Sequence, residues 1–182
     1  MKSLSVILST ASGVFAVVPG ITVMISEVGV PPDSSKALFA GIIEALGVIT
    51  LMLLWLNRKF IIRQSSKAVT KNAILGVVLF IISLFSYIFL YGILVEEVFR
   101  STPVFFPLWE NGELKELLSQ YGSRSALIKE FGRDDIFELI QQSSKVPLLL
   151  TTILFLFIYQ LIFVSLTFSF GLLAVKSSAE QS

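Results

Sequence analysis

The sequence predicts an all-α polytopic membrane protein: four transmembrane helices, with a small helical extracytoplasmic module between helices three and four. Three observations carry this prediction. Of 182 residues, 54% are hydrophobic and only 15% are charged, whereas soluble domains carry nearer a quarter charged residues. The charges are also segregated: of 14 basic and 13 acidic side chains, only Glu44 falls inside a long apolar run. Finally, the apolar stretch 37–57 passes directly into 58–71, which holds Arg58, Lys59, Arg63, Lys67 and Lys71 and no acidic residue. That is the pattern of a span followed by its cytoplasmic flank.

Residues 4–25 form the first expected span, reaching roughly 30 Å as a helix, the thickness of the hydrocarbon core. A lysine followed by an apolar run resembles a secretory signal peptide. The run is longer than a usual signal core, so a retained signal-anchor helix is expected. Pro19 should kink this helix or end its regular part. Small residues recur four apart along it, at Ser5, Ser9 and Gly13 and at Ser12, Ala16 and Gly20; span two repeats the interval at Ala37, Gly41 and Ala45. Such stripes let membrane helices approach closely. They suit either a hairpin of spans one and two or a seam between copies of the chain. Span two then meets the basic loop 58–71, whose first duty is topogenic and which can also dock anionic lipid or an acidic cytoplasmic partner.

The third span is expected at about 72–95 and the fourth from 146 to 175. The fourth is 30 uncharged residues that would measure about 45 Å and must tilt or protrude. With 58–71 inside, both termini are cytoplasmic and 96–145 lies outside, which suits the inner membrane of a bacterium. The chain thus divides into 1–95 (three spans and the basic loop), 96–145 (the module) and 146–182 (span four and a cytoplasmic tail). Within the module, Gly122 and Gly132 separate helical stretches at 113–121, 126–131 and 136–142, with Ser123 or Ser125 and Asp134 as caps. Ahead of them, Pro103 and Pro107 exclude a regular helix. Phe105, Phe106 and Trp109 there either pack under the small helices or the lipid interface, or form an external recognition edge.

Chemistry is narrowed by what is missing. The chain contains no Cys and no His, and Asp33, Asp134 and Asp135 fall outside the apolar runs. Disulfides, imidazole bases, the usual zinc sets and an intramembrane aspartate pair are all excluded, so neither enzymatic activity nor a cofactor or metal is expected. No basic face with interleaved aromatics points to direct nucleic-acid binding.

Glu44 is the sharpest single feature. A carboxylate seven residues into a span costs on the order of 2.5–3.5 kcal/mol to insert and needs a partner. No basic residue lies at its depth. Matching depths predicts a polar layer of Glu44, Tyr87 and Thr151 or Thr152, with Glu44 turned toward spans three and four, and a second layer of Ser83 and Gln160. This is either an ionisable site or a hydrogen bond that fixes helix packing.

In layout, the chain resembles the membrane subunit of the bacterial Kiwa anti-phage system: similar size, four spans, and an extracytoplasmic segment between spans three and four. The resemblance covers the whole chain and rests on topology, so no residue role is carried over. It implies a homo-oligomeric inner-membrane component that senses phage attack beside a separate cytoplasmic DNA-binding partner. The function expected is therefore a non-enzymatic, homo-oligomeric sensor or anchor for a cytoplasmic effector, in contact with the lipid bilayer. The alternative is a pore or channel subunit with Glu44 near the conduction axis.

Overall fold

The computed structural model describes residues 2–26, 35–98 and 103–179. The first connection, with Pro31, Pro32 and Asp33, lies outside the described residues, as do Arg100, Ser101 and Thr102. The elements run α1 (Lys2–Ser26), α2 (Lys36–Leu56), α3 (Arg58–Arg63), α4 (Ser66–Leu94), β1 (Val95–Glu96), β2 (Val104–Phe105), α5 (Gly112–Tyr121), α6 (Arg124–Phe131), α7 (Arg133–Ser143) and α8 (Lys145–Ala179). The fold is all-α, and α1, α2, α4 and α8 are long and apolar enough to cross a membrane. Two compact units divide the chain: 1–28, 35–85 and 158–182 form one, and 29–34 and 86–157 the other.

In the first unit, α1 lies along α2. Ser12, Ala16 and Gly20 of α1 are buried, and so are Ala40, Ile43 and Gly47 of α2. A Cβ at Gly47 would fall inside the van der Waals envelope of the Ala16 carbonyl, so only glycine permits the approach. The second expected stripe, Ala37, Gly41 and Ala45, is exposed instead. The packed face of α2 runs through Ala40 and Ile43 to Gly47, where one glycine admits the α1 backbone. Of the two outcomes expected at Pro19, α1 does not end there: Pro19 is buried within a continuous helix.

The basic stretch is helix rather than loop, because 58–71 contains no glycine or proline and is rich in good helix formers. Asn57 closes α2 by donating from Nδ2 to the Leu53 carbonyl (2.8 Å), and α3 begins at the next residue. Ser65 caps α4, its Oγ accepting from the Ala68 N–H (3.2 Å). The third span is thus part of a 29-residue helix that already includes Lys67 and Lys71. Leu54, Ile61, Val69 and Leu172 pack together where α2, α3, α4 and α8 converge. At 35 residues, α8 measures about 50 Å, well beyond a bilayer core.

The second unit has its own core of Val98, Val104, Phe106, Leu114, Leu127, Ile128, Ile136 and Ile140. Its three short helices fall close to the expected ones. Gly122, at φ +75°, ends α5 in the left-handed conformation, and Ser123 caps α6 by accepting the Ala126 N–H. Asp134 is not a cap. It sits in the first turn of α7, favoured there by the helix dipole, and pairs with Arg133 at 2.8 Å. An antiparallel pair unforeseen from sequence, Val95 with Phe105 and Glu96 with Val104, joins the end of α4 to the proline-bounded segment.

Candidate functional site

Of the polar residues expected to form layers, Glu44, Ser83 and Gln160 belong to the first unit and Tyr87, Thr151 and Thr152 to the second. In the first unit, the Glu44 side chain lies where a Cβ on Gly20 would sit. Its carboxylate stem therefore packs on α1, which corrects the expectation that it turns toward spans three and four. A side chain on Gly20 would collide with Glu44, so the absence of one there accommodates the carboxylate against α1. Gln160 of α8 donates from Nε2 to the Ile43 carbonyl (3.3 Å), one residue from Glu44. Its Oε1 is buried without a hydrogen-bond partner among the described residues. Ser83 is buried in the same unit.

Further along α8, a run of hydroxyls faces inward. Ser12 of α1 donates to the Thr167 carbonyl (2.8 Å), and Ser169 donates to the Ser165 carbonyl (2.7 Å). The Thr167 hydroxyl is buried without a hydrogen-bond partner among the described residues. In the sequence, Ser12 stands out only as a member of a small-residue stripe. Its hydrogen-bonding role follows from a contact 155 residues away, which no local spacing announces.

In the second unit, Tyr87 packs against Phe155 with ring centres 4.9 Å apart and planes tilted by 37°. Thr151 is fully buried, donates to the Pro147 carbonyl (2.7 Å) and accepts the Leu108 N–H (3.0 Å). Thr152 is half-buried. The hydrogen bond that Thr151 accepts from Leu108 thus anchors the 103–109 segment onto α8. For the same segment, packing and a recognition edge are the two expected readings: Phe105 and Phe106 are 3% and 0% exposed, so these two pack inside and form no recognition edge. Phe105 packs edge-on against Phe155 and Phe106 lies in the module core, while Trp109 remains exposed.

Arg124 organises this unit, and no local pattern in the sequence marks it. Its guanidinium donates to the carbonyls of Ile93 (2.6 Å) and Pro107 (3.4 Å), pairs with Glu110 (2.7 Å), and lies over the Phe106 ring at 4.8 Å. One side chain therefore joins the end of α4, the proline segment and α6. Ser125 donates a hydrogen bond to the Glu96 carboxylate. The partners lie 14 to 31 residues away, beyond any helical period.

The five expected docking cations remain available. Arg58, Lys59, Arg63, Lys67 and Lys71 are exposed, and among the described residues none is paired with a carboxylate. Arg58 lies over Trp55 at 5.4 Å. Lys176 of α8 donates to the carbonyls of Ile62 (3.0 Å) and Gln64 (2.8 Å), holding the end of α3 against α8. Two clefts flank α3. One of about 510 Å³ is bordered by Leu53, Phe60 and Phe168 with the amides of Asn57 and Gln64. The other, about 580 Å³, has Trp55, Arg58 and Lys59 in its wall. Among the described residues no three acidic side chains converge as a metal site. Comparison with family models, curated proteins and solved structures finds no match to this chain.

Proposed function

We propose that the chain is a non-enzymatic membrane protein that assembles with copies of itself and serves as a sensor or anchor for a cytoplasmic effector. The observation that carries this reading is the second unit. Residues 95–144 have their own apolar core and an arginine-centred hydrogen-bond cluster, more than a connection between two spans requires. In the proposed topology this module lies outside the cytoplasmic membrane of a bacterium and receives the signal. The unneutralised cations of α3 and early α4 face the cytoplasm. Anti-phage defence, implied by the resemblance to the Kiwa membrane subunit, is one setting for such a device.

Self-association is assigned to the outward face of α2. A Cβ placed on Gly41 would meet no atom within 4 Å, and the neighbouring small residues Ala37 and Ala45 are exposed. Gly41→Leu should leave the fold intact and convert the oligomer to smaller species in detergent, read by mass-resolved size exclusion. An unchanged oligomer would remove α2 from the interface, and a monomeric wild-type protein would defeat self-association altogether.

A pore is the second reading, favoured by the inward hydroxyls of α8 and the unpartnered Gln160 Oε1. It predicts ion flux in liposomes that Glu44→Gln abolishes. The sensor reading predicts no flux and retention of a cytoplasmic protein on the purified oligomer.

A further inference from the structure

The cleft beside α3 has the composition of a headgroup site. We infer that it binds one anionic phospholipid, with the phosphate held by Arg58 and Lys59 and the upper acyl chain along Trp55. The inference rests on the membrane placement proposed above, though not on self-association or on an effector.

The cleft, about 580 Å³, is bounded by the start of α1, the junction of α2 with α3, and the end of α8. Its polar groups are cations and hydroxyls: Arg58 and Lys59 from α3, Ser9 from α1 and Ser178 from α8. Arg58, Lys59 and Ser9 can donate to phosphate oxygens, whereas the Ser178 hydroxyl already donates to the Ala174 carbonyl (2.8 Å); among the described residues no acidic side chain lines the cleft. The last carbonyls of α8 bring about half a negative charge, which two full cations outweigh. Trp55 and Ile62 supply an apolar flank. Trp55 is also 62% exposed, as a side chain seated at the level of lipid headgroups would be.

Two contacts hold the site ready. The Trp55 ring lies under the Arg58 guanidinium, restricting where that long side chain can go. Lys176 ties the Ile62 and Gln64 carbonyls to α8, so the short helix carrying both cations stays fixed against the cleft wall. A soluble acidic partner would be served as well by Lys67 and Lys71, which are equally exposed. The adjoining apolar wall favours a lipid, because it gives a fatty chain somewhere to lie directly beneath the phosphate.

The test uses the full chain in neutral detergent and follows thermal unfolding with added phosphatidylglycerol, phosphatidylcholine or inorganic phosphate. Phosphatidylglycerol should raise Tm by on the order of 5 °C at saturation, and the other two additives should not. Arg58→Gln with Lys59→Gln should abolish the rise. Lys67→Gln with Lys71→Gln, the same loss of charge outside the cleft, should retain it, and so should the charge-conserving pair Arg58→Lys with Lys59→Arg. Equal responses from the two glutamine pairs would overturn the site in favour of diffuse attraction. An equal rise with inorganic phosphate would overturn the lipid as ligand, and no rise with phosphatidylglycerol in the wild-type chain would overturn the inference. Loss of oligomerisation or of effector retention would count against the proposed function and leave this result standing.

Discussion

Arg124 and Gly47 show how single residues hold the two units. The Arg124 guanidinium spends its donors on two backbone carbonyls and Glu110, and removing it leaves those acceptors without their donor. Arg124→Met should destabilise the module by about 2–4 kcal/mol, seen as faster proteolysis within 95–144. Unchanged cleavage would mean that the apolar core suffices alone. Gly47 acts through the absence of a side chain. Gly47→Leu must separate α2 from the Ala16 backbone, at a cost of about 3 kcal/mol, and should lower Tm where Gly41→Leu does not. These residues also mark how far the sequence is legible. The small-residue interval is visible in it at Ala37, Gly41 and Ala45, but the face that packs runs through Ile43 and Gly47, which lacks that interval, and only the partner helix selects it. Likewise Glu44 is recognisable as an expensive side chain, whereas Gly20 as the residue that accommodates it is not.

At the scale of elements, the long helices are legible because continuous apolar runs bounded by charges admit few other structures in a chain of this composition. Their ends are less so. Lys67 and Lys71 read as loop residues because charge commonly ends a span, but the absence of Gly and Pro lets α4 begin at Ser66. The β1–β2 pair is invisible in the sequence, since two residues a side carry no period and Phe105 is fixed by Phe155, far along the chain. The most fragile element is α3, six residues long and too short to persist alone. Its attachment through Lys176 should therefore dominate its stability. Lys176→Met should cost about 1 kcal/mol locally, detected as faster amide exchange across 58–64 with Tm nearly unchanged. Unaltered exchange there would show that Ile61 packing alone holds the helix.

For the whole molecule, the proposed orientation puts the α3 cations on the cytoplasmic side and the 95–144 module on the other. The sensor reading depends on it, because a module facing the cytoplasm could not receive an external signal. The absence of native cysteine makes a direct measurement possible with single cysteines at exposed positions 65 and 119. With a membrane-impermeant maleimide on intact spheroplasts, Ser119→Cys should label at once, and Ser65→Cys only after the membrane is opened. Labelling of Ser65→Cys in intact spheroplasts, with Ser119→Cys protected, would contradict this orientation and the sensor reading with it.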